Sequence, residues 1–290
     1  MKKLLGQLLL KLCAGIIFLA VVVMPACQGT HPEAAIPGDD PTGLMMARLQ
    51  RNRDTLAMCL QRFLNDPLMR DSEIGYLIVD CTDSVPQVIA QHESSRPFIP
   101  ASTLKLFVTG AALEILGQPV FSEVMTINQL SVNWRSSKLL RKIGGEVFGV
   151  CDNRNGFRAI MDFWGRKGID LTGISFYDGN GLSRSNAVAP KHLVELLSVM
   201  RGSEYFDVFY SSLPVAGYSG TMRKALSGTD AAGRVHAKTG TISKVKSWAG
   251  YINTLNGRNL IFAIIVNNYT CRQKVVIRKV EEVMVRMTQV

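Results

Sequence analysis

Three short strings, far apart and in a fixed order, constrain this chain more than any other feature: Ser102-Thr103-Leu104-Lys105, Ser131-Val132-Asn133 and Lys238-Thr239-Gly240-Thr241. If they act together, the fold must bring three remote segments into one cleft. A serine hydroxyl is a poor nucleophile without a base beside it. On a helix, positions i and i+3 share a face, which sets Lys105 next to Ser102. The lysine must be neutral to accept a proton, and both burial and a nearby cation lower its pKa; Lys238 is the candidate cation. Ser131 supplies a second hydroxyl able to relay a proton. Asn133 offers an amide donor and an acceptor to a peptide. On an edge strand, 238–241 would let an extended peptide add alongside. Gly240 would leave room for its approach, and Lys238 and Thr239 would face a terminal carboxylate. The backbone N–H groups of Ser102 and Thr241 would form an oxyanion hole. These residue types in this order suit serine acyl transfer without a catalytic histidine.

The strings differ in information. A Ser-x-x-Lys pattern arises about once by chance in a chain this long, and a second one stands at Ser243-Lys244-Val245-Lys246. That copy falls in an expected turn between strands with no substrate strand downstream, so Ser102 is preferred. The Lys-Thr-Gly-Thr string is far rarer. His31, His92 and His236 lack ligand spacing, and neither a metal cluster nor a phosphate-cradling glycine loop occurs; no metal or organic cofactor is implied. His236 would share the face of Lys238 on a strand but reads as structural. Trp134, Trp164 and Trp248 read as core or rim residues, with Trp248 the one that could line the cleft.

The N-terminus reads as an export segment. Met1-Lys2-Lys3 is basic, 4–24 is largely apolar, and Pro25-Ala26-Cys27 ends the stretch. Cys27 resembles the acceptor of a bacterial lipoprotein signal, which assigns 1–27 to a signal peptide and tethers the mature chain to a membrane face in the periplasm or cell envelope. Residues 28–43, rich in Pro, Gly, Ala and acids, read as a linker, and 44–290 as one domain. Formal net charge is +10, or +7 without the signal lysines Lys2, Lys3 and Lys11. Export makes nucleic acid an unsuitable partner and favours an anionic wall polymer or membrane surface. Cys59, Cys81, Cys151 and Cys271 would meet an oxidising compartment; their spacing leaves free thiols and all three pairings open.

Periodicity predicts helices over 44–64, 103–116, 134–143, 157–166, 190–200 and 274–287, and strands over 75–80, 86–90, 235–241, 246–254 and 260–267. Ser102 would cap the second helix, and Asn256-Gly257 marks a hairpin. The expected assembly is α+β: one mainly antiparallel sheet drawn from both chain ends, terminal helices over it and a helical cluster alongside.

The three strings, together with Arg96-Pro97-Phe98-Ile99-Pro100-Ala101, Asp178-Gly179-Asn180-Gly181-Leu182-Ser183-Arg184, Leu213-Pro214-Val215-Ala216-Gly217, Gly220-Thr221-Met222 and Ala249-Gly250-Tyr251, resemble the class C low-molecular-mass penicillin-binding proteins. That resemblance implies a penicillin-binding-protein/β-lactamase-like transpeptidase fold and a serine D-alanyl-D-alanine carboxypeptidase or endopeptidase. Its substrate would be peptidoglycan stem peptide, and β-lactam antibiotics its covalent inhibitors. Asp178 and Arg184 are expected to hold a loop near the cleft. Two departures stand out. Only 29 residues separate Ser102 from Ser131, where the family usually carries long inserted domains. The stretch 243–248 is also more basic than the family's. The competing functions are a serine β-lactamase and a peptidoglycan-binding lipoprotein with impaired catalysis.

Overall fold

The computed structural model describes residues 41–290. The signal peptide 1–27, the lipidation site Cys27 and the linker up to residue 40 lie outside the described residues. The rest of the expected linker is helical, because the first helix, α1, spans Pro41–Leu64.

A five-stranded antiparallel sheet organises the domain. Strands β1 (Glu73–Asp80) and β2 (Gln87–His92) come from the first third of the chain. Strands β3 (Val235–Ile242), β4 (Val245–Asn253) and β5 (Asn259–Asn267) come from the last. Their order is β2-β1-β5-β4-β3, so the two ends of the chain meet where β1 pairs with β5. The Asn256-Gly257 hairpin forms between β4 and β5 with a loop over 254–258, and Gly257 there has φ +76°.

Both faces of the sheet are covered, and alternation along a strand sorts the side chains. In β5, Ile261, Ala263 and Ile265 enter one apolar cluster; Leu260, Phe262, Ile264 and Val266 enter the other. The second cluster is closed by the terminal helices. Leu56, Cys59, Leu60 and Phe63 of α1 repeat at i, i+3, i+4 and i+7. Val280, Val283, Met284 and Met287 do the same on α8 (Gln273–Met287). A helical amphipathic stripe is thereby buried on each.

The first cluster centres on α2 (Lys105–Leu116), apolar all round and enclosed by other helices. Its neighbours are α3 (Phe121–Leu130), α4 (Asn133–Phe148), α5 (Asn153–Arg166), α6 (Pro190–Arg201) and α7 (Phe206–Ser212). Trp164 is fully buried there and donates its indole N–H to the Phe107 carbonyl at 3.1 Å. The expected sheet, terminal helices and helical cluster are all present; α3 and α7 are additions to the sequence reading. The four cysteines among the described residues are free, with Cys59 and Cys81 buried in different clusters.

One local expectation is corrected. Ser102 does not cap an α-helix: it sits inside a 3-10 turn, Ala101–Leu104, and the α-helix begins at Lys105. The turn is entered through Ala101 at φ +47°, a conformation that costs a residue with a Cβ about 1–3 kcal/mol. It is held by the Pro100 carbonyl, which accepts from Thr103 Oγ1 at 2.7 Å and from Ser247 Oγ at 2.5 Å.

Candidate active site

Lys105 is the centre of the site. It is fully buried, yet its Nζ reaches Ser102 Oγ at 2.6 Å, Asn133 Oδ1 at 2.9 Å and the Asn180 carbonyl at 2.5 Å. Burial brings its pKa down to about 7, against the opposing charge of Asp178. A neutral amine can satisfy all three partners. The two carbonyl oxygens can only accept, so they take its two N–H groups, and the lone pair is left facing the Ser102 hydroxyl. In that state Lys105 presents its lone pair to the Ser102 hydroxyl, the arrangement a candidate base beside a candidate nucleophile needs.

The three strings converge as the sequence reading expected. Ser131 follows α3 at φ +59°, a second left-handed residue beside the cleft. That turn points Oγ at Lys238 Nζ, 2.9 Å away. Asn133 opens α4 and faces Lys105. Lys238 has no exposed surface and also donates to its neighbour's carbonyl, Thr239 O, at 3.1 Å. Burial, then the charges of Lys105 and Lys246, hold its pKa well below the ordinary lysine value. The open cleft, about 240 Å³, is instead lined by Ser102, Ser131, Asn133, Leu182, Thr221, Thr239 and Thr241.

Strand β3 is an edge strand. Its outer side pairs with the preceding segment only at its start. There Ala237 N donates to Pro214 O and Val235 O accepts from Ala216 N, both at 2.9 Å. Backbone groups repeat every second residue, so Thr239 and Thr241 present theirs to the same side, beyond that segment. The Thr241 N–H therefore faces the cleft, as an oxyanion donor must.

Gly240 has a use that the sequence reading placed elsewhere. A Cβ there would lie 2.1 Å from Ser247 Oγ and 2.9 Å from both Pro100 O and Ser102 N. The space it leaves is filled by the nucleophile turn, so Gly240 lets that turn seat against β3.

The loop after α5 supplies what the sequence did not assign. Asp178 accepts from the backbone N–H groups of Asn180 at 3.1 Å, Gly181 at 2.6 Å and Ser183 at 2.6 Å, and from Asn186 Nδ2 at 3.1 Å. This fixes the Asn180 carbonyl on Lys105. Gly181, at φ +84°, packs its Cα against the Ala101 carbonyl, where a Cβ would come within 2.0 Å. Arg184 ties the loop to the β3–β4 turn through Ser243 O at 3.0 Å. Asp178 and Arg184 therefore hold a loop, as expected, but the loop also delivers a direct partner of the base. Thr221 is a further cleft residue, its Oγ1 2.7 Å from that of Thr239.

The other residues weighed from sequence lie outside the cleft lining. His236 stacks on Tyr210 with centroids 4.2 Å apart. Trp134 is exposed, and Trp248 is 4% exposed in the sheet's second core. Ser243 lies in the turn, which removes the alternative Ser-x-x-Lys pair, although its Lys246 reaches Thr241 Oγ1 at 2.6 Å.

Comparison with known proteins agrees with this arrangement. The D-alanyl-D-alanine carboxypeptidase of Actinomadura sp. (strain R39) is 34% identical over 147 residues, 49% of this chain and 27% of that protein. The chain spans about a quarter to a half of the length of the curated relatives it matches. Penicillin binding protein 4 from Haemophilus influenzae superposes with a TM-score of 0.50 at 24% identity, over 57% of this chain and 37% of the other. A β-lactamase from Sphaerobacter thermophilus superposes with a TM-score of 0.62 at 13% identity, over 81% of this chain and 95% of the other. The fold is thus that of penicillin-binding proteins and β-lactamases. The pattern of one family matches residues 56–121 and 118–290. These two segments overlap at 118–121, between the first and second strings, where the inserted domains were expected to be missing. On that match over most of its length, the chain belongs to the D-Ala-D-Ala carboxypeptidase 3 (S13) family.

Proposed function

We propose that this protein is a serine DD-peptidase that cleaves the terminal D-Ala-D-Ala bond of peptidoglycan stem peptides through an acyl-enzyme at Ser102. The observation that carries the reading is the three-partner environment of Lys105, which leaves its lone pair for the Ser102 hydroxyl. Neutral Lys105 takes that proton as Ser102 Oγ attacks the carbonyl of the penultimate D-Ala. The oxyanion lies between the N–H groups of Ser102 and Thr241. Ser131, held by Lys238, gives a proton to the departing amine and is replenished by the proton that Lys105 took, so that D-Ala leaves and Lys105 is neutral again. Water then attacks the ester, the neutral Lys105 accepts its proton and passes it to the departing Ser102 Oγ, and Ser102 is restored. Asn133, Thr239 and Thr241 hold the peptide, whose carboxylate lies at the two threonines beside Lys238.

β-Lactam antibiotics would acylate the same serine. Intact-mass measurement after incubation with penicillin is expected to show one adduct mapping to Ser102 and none in Ser102→Ala. An unlabelled wild type, or a labelled Ser102→Ala, overturns the reading. A β-lactamase is the second reading, favoured by the fold likeness over 81% of the chain. Against it, no carboxylate occurs among the described residues lining the cleft.

The segment 1–27 supports export and a lipid tether at Cys27 in the cell envelope. Fatty-acid labelling that is lost in Cys27→Ser is the expected result, and labelling that survives overturns the tether.

A further inference from the structure

Behind the two cleft threonines lies a second pocket of about 210 Å³, on the terminal-helix side of the β3 edge. Its lining includes Thr239, Thr241, Lys246, Trp248, Ile277 and Glu281. Thr221, Thr239 and Thr241 belong to both cavities, so the two meet at the strand edge. Its one lysine, Lys246, is 6% exposed. Nζ donates to Thr241 Oγ1 at 2.6 Å and stands 5.0 Å from the centre of the Trp248 ring.

A hydroxyl has one proton and two acceptor positions, whereas an ammonium can only donate. Thr241 Oγ1 must accept from Lys246, and its own proton is then free to turn toward the cleft. Thr241 is exposed, so this proton meets whatever binds there. The result is a hydroxyl fixed as a donor and backed by a positive charge, an arrangement that selects an anion. Lys238 stands on the opposite side of the strand, with Nζ already on Ser131 and Thr239 O.

We infer that Lys246 is the positioning residue that makes this enzyme selective for substrates ending in a free carboxylate, acting through the Thr241 hydroxyl. The inference deepens the DD-peptidase reading and rests on it. Burial lowers the Lys246 pKa to about 8 and the charge of Glu281 opposes that shift, so the ammonium persists at neutral pH.

The test compares one acyl-D-Ala-D-Ala peptide with its C-terminus free or converted to the carboxamide, on the full chain. In Lys246→Met, kcat/KM for the acid should fall roughly 10- to 100-fold, the worth of a charged hydrogen bond, mostly in KM. The rate for the amide should stay within about twofold, and Lys246→Arg should restore the preference. Lys246→Gln, which keeps a polar group near Thr241 Oγ1 but removes the charge, should show the same selective loss even if Lys246→Met does not fold. Parallel losses on acid and amide, or an unchanged ratio in Lys246→Gln, overturn the inference while leaving Ser102 acylation intact. A wild type that cleaves neither peptide and takes no penicillin at Ser102 overturns the parent reading, and this one with it.

Discussion

At the scale of single residues, the site depends on three lysines held in different surroundings, burial lowering the pKa of each. Lys105 and Lys238 are buried to the same extent, but only Lys105 has two carbonyl oxygens that consume its N–H groups and leave a lone pair for a hydroxyl. Its pKa of about 7 places the change in charge within the working range. The sign follows directly: below that value Lys105 is an ammonium and cannot take the Ser102 proton, and above it the base is available. Acylation measured as kcat/KM, which reports the free enzyme, should therefore rise about tenfold per pH unit below pH 7 and level off above it. Lys105→Ala should cost roughly 10²- to 10⁴-fold, the usual contribution of a positioned base, and should abolish that rising limb. A flat profile in the unaltered protein would assign the base elsewhere.

Among the elements, the loop 178–184 is the one whose importance was least legible in the sequence. Asp178 and Arg184 were readable as loop-holding residues, but the group that touches Lys105 is the Asn180 backbone carbonyl, which no side-chain pattern encodes. The same limit hid the nucleophile turn. A left-handed Ala101 has no compositional signal, because the strain is offset by Thr103 and Ser247 binding Pro100 O, and Ser247 is remote in sequence. Helix α7 was missed because it has only seven residues. Helix α3 did carry a spacing signal, in Val120, Val124 and Ile127, all buried. By contrast the sheet strands, α1, α8 and the convergence of the three strings were legible, since each rests on periodicity or on chemistry that requires proximity. The loop also yields a prediction of its own. Asp178→Asn removes the negative charge that holds the Lys105 pKa up and replaces an oxygen that accepts backbone N–H groups. The rising limb should move to lower pH, and unfolding free energy should fall by about 1–3 kcal/mol, as for a lost charged hydrogen bond. A limb that stays in place would show that Asp178 acts on the loop alone.

For the whole domain, the two cores set where the cleft lies. Trp248 and the terminal helices close one face of the sheet and α2 with its neighbours the other, and the cleft includes Thr239 and Thr241 of the β3 edge strand. Ser131 follows Ser102 by only 29 positions, and α3 leads from α2 to the second string; of the residues lining the cleft, Leu182 is more than half exposed. The relatives' longer chains bring more protein than this one does, yet all three strings meet within this domain. Deacylation is different. After acylation by a penicillin, the departed amine remains attached and stays in the cleft, which crowds the approach of water. Hydrolysis then needs a second base placed on the open side, and the described lining there consists of hydroxyls, Asn133 and Leu182. A missing general base costs about 10²- to 10⁴-fold. The penicilloyl adduct should consequently form at least ~100-fold faster than it disappears, and it should accumulate to one equivalent in intact-mass measurements followed over time. A protein that returns to its unmodified mass as fast as it is labelled, consuming many equivalents of penicillin, would instead be a β-lactamase with a water route on this rim.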